Sequence, residues 1–280
     1  MKNLSLLVSA VALSCLCAPV QASVIVPGFD TNSFPANDDG ATDAISLGFT
    51  VNFFGVTRDS TFVSNNGYVT FDEGQGTFTP TGLGADYSGQ PIIAPFFADV
   101  DTRGDGSGLT TYGSGMFDGH TAFGATWVDV GYYGSHTDKL NSFQVLLVDR
   151  SDIASGDFDI YFNYDKIQWE TGDASGGSDG LGGTSAAVGY NAGTGEDGTY
   201  YELPGSLVNG AFLDGGPDSL VAGSNIGVAG RYLFNVRNGQ VTPPPPGGVP
   251  EPATWAMMIA GFGAVGVMMR RRASVRVSFV

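Results

Sequence analysis

Cysteine is almost absent from this sequence of 280 residues. The only two, Cys15 and Cys17, lie in an apolar run near the N-terminus. Disulfides and cysteine-based metal or catalytic sites are therefore excluded from the rest of the chain. Its stability must come from buried apolar area, which a domain of about 220 residues can supply without cross-links.

Positive charge is also scarce. The whole chain has 12 Lys and Arg against 28 Asp and Glu, for a net charge of −16. Residues 23–250 contain 7 basic and 27 acidic residues, a net charge of −20. Such a surface repels nucleic acid, so we expect no nucleic-acid partner. It favours solubility, and other anionic polymers could approach it only where divalent cations bridge the two.

Long apolar runs are missing except near the two ends. At the N-terminus, Lys2 precedes a run of fourteen largely apolar residues, 4–17, and small residues surround Gln21. This arrangement is typical of a cleaved secretory signal peptide, and the run is too short to cross a bilayer core of about 30 Å. We predict a signal peptide over residues 1–22, followed by a soluble domain over 23–240.

The C-terminal region is divided into three parts. Residues 241–248 read VTPPPPGG, a Pro/Gly linker that can form neither helix nor ladder. Seventeen almost wholly apolar residues, 253–269, would rise about 25 Å as a helix, enough to span a thin bilayer core. Three arginines follow at 270–272 and should stay on the cytoplasmic side. We predict one C-terminal transmembrane helix over 253–269, with the domain outside.

The tail VPEPATWAMMIAGFGAVGVMMRRR resembles a PEP-CTERM sorting domain, the signal handled by exosortase membrane enzymes. The resemblance places the sorting signal at residues 249–272 and implies a connection with exopolysaccharide, biofilm and the cell surface. It implies a processing motif formed by Val249, Pro250, Glu251 and Pro252. The membrane stop signal would be Arg270, Arg271 and Arg272. A plain membrane anchor predicts the same topology without cleavage.

The domain itself reads as all-β. Its 43 glycines and short alternating apolar runs favour many strands joined by tight turns. We predict a half-buried strand with Phe158, Ile160, Phe162 and Tyr164 on one face and Asp157, Asp159, Asn163 and Asp165 on the other. The sequence Asn65-Asn66-Gly67 predicts a hairpin turn. Further candidate strands are 45–54, 92–100, 122–133, 143–149, 185–190, 199–203 and 231–236. Nine or ten strands indicate an antiparallel sandwich or jelly-roll-like domain.

Several segments resemble the nidogen-like (NIDO) domain of extracellular matrix and adhesion proteins. They are LGFTVNFFGVTRDSTFVSNNGYVTF, IIAPFFADVDTRG, AFGATWVDVGYY, LNSFQVLLVDR and GDFDIYFNYDKIQWETGDAS, followed by GYNAGTG and GRYLFNV. The resemblance implies an extracellular module with an adhesive or matrix context, and it carries no catalytic residues.

Acidic residues alternate in ADVDTRGDGSG, as in a calcium-binding loop. The candidate ligands are Asp99, Asp101 and Asp105. Arg103 nevertheless occupies a would-be ligand position, and the twelfth position lacks the required glutamate. We interpret the segment as a polar turn after a buried strand, with Ca²⁺ as the alternative.

Two patterns raise the question of an enzyme. Residues 176–180 fit G-x-S-x-G around Ser178, but the flanking sequence has neither the strand nor the helix of a nucleophile elbow. Asp157 and Glu170, near Trp169, could form the carboxyl pair of a glycosidase if they lay close together.

These features predict a non-enzymatic, exported cell-surface or extracellular-matrix protein of the exopolysaccharide or biofilm, with an adhesive or structural function. The expected partners are an exosortase-type membrane sorting enzyme, exopolysaccharide or other matrix components and, transiently, the inner membrane. No cofactor is expected. The alternatives are a secreted polysaccharide-acting, glycosidase-like enzyme and a calcium-dependent adhesin.

Overall fold

The structure is a computed structural model, and it describes residues 23–242. The predicted signal peptide and transmembrane helix lie outside these residues. The described chain forms fourteen strands and a 3₁₀ helix at Asp173–Ser175. The strands are β1 (Asn32–Ser33), β2 (Ile45–Phe53), β3 (Val56–Ser64), β4 (Tyr68–Thr70), β5 (Ile92–Phe97), β6 (Val100–Asp101), β7 (Thr110–Phe117), β8 (His120–Tyr132), β9 (His136–Asp149), β10 (Phe158–Lys166), β11 (Ala187–Asn191), β12 (Tyr200–Glu202), β13 (Arg231–Arg237) and β14 (Gln240–Thr242).

These strands form two antiparallel sheets. The larger has the order β1-β7-β8-β9-β10-β13-β14, with β6 beside β8, and the smaller has the order β12-β11-β5-β4-β3-β2. The all-β sandwich prediction is confirmed. The jelly-roll alternative is wrong, because the chain runs through β2–β5 and through β7–β10 as meanders and not as two Greek keys.

The main core lies between the two sheets. Alternate residues of each strand point inward, as the pleat requires. The Trp127 indole stacks on Phe143, with ring centroids 5.1 Å apart. Fully buried members from both sheets include Val63, Val69, Ile93, Phe123, Val145, Leu147, Phe158, Ile160 and Phe234. This core provides the buried apolar area that stabilises a domain without disulfide bonds.

Strand β10 has the predicted inward face but not the predicted exposed one. Phe158, Ile160, Phe162 and Tyr164 are fully buried, as expected. The opposite face is buried too, at Asp157, Asp159 and Asn163, so the half-buried description is wrong. Asp159 is buried because it accepts hydrogen bonds from Arg150 (2.9 Å) and Asn235 (2.8 Å), and it pairs with Arg237. Paired charges can be buried where single ones cannot.

An N-terminal strap, residues 23–34, covers the outer face of the larger sheet. Phe29 is 1% exposed and packs in a separate small core with Ala122, Leu146 and Val148. The Val26 N–H donates to the Gln144 side chain (3.0 Å), which donates back to the Val26 carbonyl (2.9 Å). The larger sheet is therefore buried on both faces at this position.

Strand β7 was not among the predicted strands, because glycines interrupt its apolar pattern. Those glycines make room for the strap. A Cβ at Gly113 would lie 2.2 Å from the Thr31 hydroxyl, and one at Gly115 would lie 3.0 Å from the Gly28 carbonyl. Glycine here marks the close approach of another chain segment.

Between Ser23 and Thr242, no helix is both long enough and apolar enough to cross a membrane.

Candidate functional site

The predicted hairpin turn at residues 65–67 is confirmed, with Ser64 opposite Tyr68. Positive φ is needed only at Gly67 (78°), where a Cβ would lie 1.9 Å from the Phe96 carbonyl oxygen. Asn65 and Asn66 have no positive φ. Their side chains instead organise the acidic residues nearby.

Asn65 is fully buried and holds the loop at residues 37–40. Its Nδ2 donates to the carbonyls of Asn37 (3.2 Å) and Asp38 (2.7 Å). The same Nδ2 donates to the Val100 carbonyl at 2.7 Å. The loop and the β5–β6 junction are thus fixed to one side chain.

Asn66 extends this framework to a carboxylate. Its Nδ2 donates to Asp39 Oδ1 (2.9 Å), and its Oδ1 accepts from the Val100 N–H (3.0 Å). The loop also closes on itself, because the Gly40 N–H donates to Asn37 Oδ1 (2.8 Å). Asp38 and Asp39 are therefore held beside the end of β5.

Asp99 faces these two acids. It follows β5, is 1% exposed, and neither of its carboxylate oxygens has a hydrogen-bond partner. One carboxylate oxygen from each of Asp38, Asp39 and Asp99 lies within 4.8 Å of the other two. The carboxylate packs against Gly172, where a Cβ would approach Asp99 Oδ2 to 2.5 Å. We call these three residues the acidic cluster.

The three predicted calcium ligands do not come together. Asp101 pairs with Arg103 (2.7 Å) and accepts from the Ser135 N–H (2.9 Å), so its oxygens are occupied. The backbone carbonyl of Asp105 accepts a hydrogen bond from the Thr137 hydroxyl, and the Asp105 carboxylate is not in the cluster. Of the predicted set, only Asp99 belongs to the acidic cluster.

The surroundings of Asp38 and Asp99 disfavour the ionised form of their carboxyl groups. Burial, together with the charges of Asp38, Asp39 and Asp101, raises the pKa of Asp99 to about 7, and the nearby Ser175 side chain opposes this shift without forming a hydrogen bond to the carboxylate. Burial and the neighbouring acids raise the pKa of Asp38 to about 6, against the opposing effect of Arg103. Burial would also raise the pKa of Asp101, but hydrogen bonds from Arg103 and Ser135 bring it below its usual value. The cluster therefore holds three carboxylates beside a single guanidinium, which does not balance their charge.

Sequence reasoning missed Asp38 and Asp39. They lie about sixty positions before Asp99, and no local spacing connects the two segments. The available signal was the sequence NDDG, an acidic pair within a loop closed by Asn and Gly.

An open depression of about 600 Å³ lies beside the 3₁₀ helix. The Tyr132 and His136 rings stack with centroids 4.8 Å apart, and His136 Nε2 lies 3.1 Å from Asp173 Oδ2. The lining residues are Tyr132, His136, Asp138, Asp173, Gly177, Ser178 and Asp179. Lys139 forms ion pairs with Asp138 (2.7 Å) and Asp179 (2.6 Å), so two of the acids that line the depression have a basic partner.

Ser178 lies in this depression with His136, but the geometry is not that of a nucleophile. Within residues 23–242, no hydrogen bond joins its Oγ to His136. The chain before it is the 3₁₀ helix at Asp173–Ser175, and the chain after it turns to pair Ser178 with Leu181. A nucleophile elbow requires a strand and a helix at these places.

The glycosidase pair is wrong. Asp157 directly precedes the nine-residue strand β10 and Glu170 follows its end by four residues, and a strand of this length spans about 30 Å. The two carboxyls of a glycosidase lie about 5–9.5 Å apart. Glu170 is fully buried and accepts from the N–H groups of Gly210 and Phe212, both at 2.6 Å. Trp169 is also fully buried, so it offers no platform for a sugar.

Curated relatives match most of the domain. Alpha-tectorin of Mus musculus is 36% identical over 236 residues, which cover 75% of this chain and 10% of that protein. Alpha-tectorin of Gallus gallus is 32% identical over 233 residues, with the same two coverages. Nidogen of Drosophila melanogaster is 28% identical over 221 residues, 71% of this chain and 15% of that protein. The chain thus spans 10–15% of the length of these relatives. No solved structure matches it.

Two family profiles match the chain. The PEP-CTERM protein-sorting motif matches residues 248–272, and its presence implies recognition by an exosortase-type membrane enzyme. Both resemblances seen in the sequence are confirmed, and they identify an exported protein of the cell envelope or extracellular space. The profile described as Nidogen-like domain matches residues 59–238, well over half of the sequence, so the chain belongs to the nidogen-like domain family.

Proposed function

We propose that this protein is a non-enzymatic adhesive or structural component of the cell surface or exopolysaccharide matrix. The main observation in support of this proposal is that one chain joins a nidogen-like domain to a sorting motif. The domain's last strand ends at Thr242, and the motif match begins at residue 248. Between them lie five residues, PPPPG, which suit a short stiff spacer. The tail determines where the domain is delivered.

The surface charge is consistent with a matrix component. An excess of acidic residues keeps the domain soluble and limits contact with other polyanions. Attachment to an anionic polysaccharide would therefore depend on divalent cations. A neutral polysaccharide or a protein partner would carry no such requirement.

The sorting step is tested with the full chain in a host that has an exosortase and in the same host without it. We expect the wild type to reach the surface or matrix fraction only when the enzyme is present. Glu251→Ala should keep the chain in the membrane fraction, because it removes the only charge of the processing motif. Glu196→Ala, an exposed acid of the domain, is the matched control and should be sorted like the wild type. Equal distribution of Glu251→Ala and wild type would contradict the proposal.

A second candidate function is a polysaccharide-acting enzyme, and the open depression near Asp173 is the observation that favours it. The test is hydrolysis of a panel of polysaccharides by the purified exported protein. We expect no turnover. An activity that disappears in Asp173→Asn but persists in Asp105→Asn would replace the matrix role with catalysis at this depression.

A further inference from the structure

We propose that Asp38, Asp39 and Asp99 form a calcium-binding site that joins the loop at residues 37–40 to the end of β5. Each residue places a carboxylate oxygen within 4.8 Å of the other two. Oxygens at the usual Ca²⁺ distance of about 2.3–2.6 Å lie up to about 5 Å apart across the ion, so the spacing suits a shared cation.

The second observation is an unsatisfied buried carboxylate. Asp99 is 1% exposed, and both its oxygens lack a hydrogen-bond partner. Asp38 Oδ1 is also buried and unpartnered. Within residues 23–242, six buried side-chain oxygens lack a partner, and three of them belong to this cluster. A buried charged group normally has hydrogen bonds, a counter-ion or a metal, so these oxygens lack something that a cation would supply.

Neighbouring side chains hold the carboxylates without neutralising them. The amide of Asn66 donates to Asp39, and the amide of Asn65 donates to the Asp38 carbonyl. Arg103 reaches Asp38 Oδ2 at 3.0 Å but also pairs with Asp101. One guanidinium thus stands among four acids, and the cluster retains an excess of negative charge.

The donor chemistry selects the metal. All candidate donors are carboxylate oxygens, which suit a hard cation, and no cysteine or histidine belongs to the group that would favour zinc. Ca²⁺ accepts irregular oxygen sites completed by water, whereas Mg²⁺ demands near-ideal octahedral geometry. Asp39 is exposed, so water has access to the remaining coordination positions.

The ion would join two parts of the sandwich directly, the loop at 37–40 and the end of β5. The loop at 37–40, the turn at 65–67 and the end of β5 meet at the cluster, and Gly172 brings the segment before the 3₁₀ helix against Asp99. A ligand that binds the folded state but not the unfolded chain stabilises the folded protein. Calcium outside the cell would therefore stiffen this end of the domain.

The test uses the purified exported protein, first stripped of metal with EGTA and then titrated with Ca²⁺. Isothermal titration calorimetry should show one site, and Ca²⁺ at 100 times its Kd should raise Tm by about 5–10 °C. Asp99→Asn keeps the side-chain volume and should weaken calcium binding at least about tenfold, since it removes one charged ligand. Asp105→Asn, which alters an acid outside the cluster, should bind like the wild type.

Asp39→Asn provides a second variant at an exposed position and should also weaken binding. Mg²⁺ at equal concentration should give a smaller shift in Tm than Ca²⁺. Absence of a calcium-induced shift in the wild type would overturn the proposal. An unchanged Kd in Asp39→Asn and in Asp99→Asn would overturn it as well.

Discussion

Asn65 shows how a single buried polar residue determines the local structure. Its amide donates to three backbone carbonyls, and its Oδ1 accepts from the hydroxyls of Thr102 and Thr110, each at 3.3 Å. Its own carbonyl accepts from the Trp127 indole at 3.0 Å. The side chain is therefore satisfied although it is fully buried.

Asn65→Ala should be strongly destabilising. It leaves three carbonyls and two hydroxyls without this partner, and we expect a loss of about 3 kcal/mol or more in the free energy of unfolding. Urea denaturation followed by fluorescence measures the effect. Asn32→Ala, at an exposed residue with one long hydrogen bond of 3.4 Å, should change stability by less than about 0.5 kcal/mol. Equal effects of the two substitutions would refute the structural role of Asn65.

Asp99 makes a prediction about pH in metal-free protein. The pKa of Asp99 is raised to about 7 in the folded state by burial and by the charges of Asp38, Asp39 and Asp101. The folded state thus keeps the Asp99 proton at pH values where the unfolded chain has lost it. Stability from this group is complete below about pH 4 and is lost as the pH rises to about 7.

The measurement is the free energy of unfolding from pH 4 to pH 8 in EDTA, for wild type and Asp99→Asn. The amide does not titrate, so the wild type should lose about 2–4 kcal/mol relative to the variant across this range. Parallel profiles for the two proteins would show that Asp99 does not hold its proton in the folded state.

The strands show what periodicity can and cannot predict. Alternation predicted β2, β5, β8 and β10 because their inward residues are large and apolar. It did not predict β7, whose glycines accommodate the strap, nor β1, whose two residues acquire strand structure only by pairing with β7. The outer face of β10 was misjudged because Asp159 is buried against Arg150 and Arg237, which belong to other segments of the chain. Such features depend on tertiary contacts, which a local pattern does not contain.

The acidic cluster was unpredictable for the same reason. The sequence marked Asp99 by its position after a buried strand, but it grouped Asp99 with its chain neighbours. The structure shows that Asp101 forms an ion pair with Arg103. Asn65 and Asn66 of the hairpin turn hold Asp38 and Asp39 close to Asp99 through hydrogen bonds.

The contact between the strap and β8 predicts how a substitution at Gly124 affects the packing of the strap. A Cβ at Gly124 would lie 2.6 Å from Phe29 Cγ, so Gly124→Ala must displace Phe29 from the sheet. We expect a loss of about 1–3 kcal/mol and faster proteolysis within residues 23–34. Gly84→Ala is the control, because a Cβ there would meet no atom within 4 Å. Unchanged proteolysis of the strap in Gly124→Ala would contradict this packing.

At the scale of the whole molecule, the sequence contains two kinds of information. The tail motif points to export and sorting, while the domain provides a cysteine-free, acidic sandwich. The relatives share the domain and not the full architecture, since the match covers only 10–15% of their length. Destination and domain together lead to the proposed role at the surface or in the matrix.

Export followed by processing at the tail is the core of the proposed role. It is tested by mass spectrometry of the N- and C-terminal peptides from envelope and culture-supernatant fractions, with and without the exosortase. With the enzyme present, we expect the mature chain to begin at Ser23 and to end near Pro250–Pro252, without residues 253–280. Without the enzyme, the tail should persist through Val280. A tail intact through Val280 in every fraction, with the enzyme present, would show that the chain is not processed.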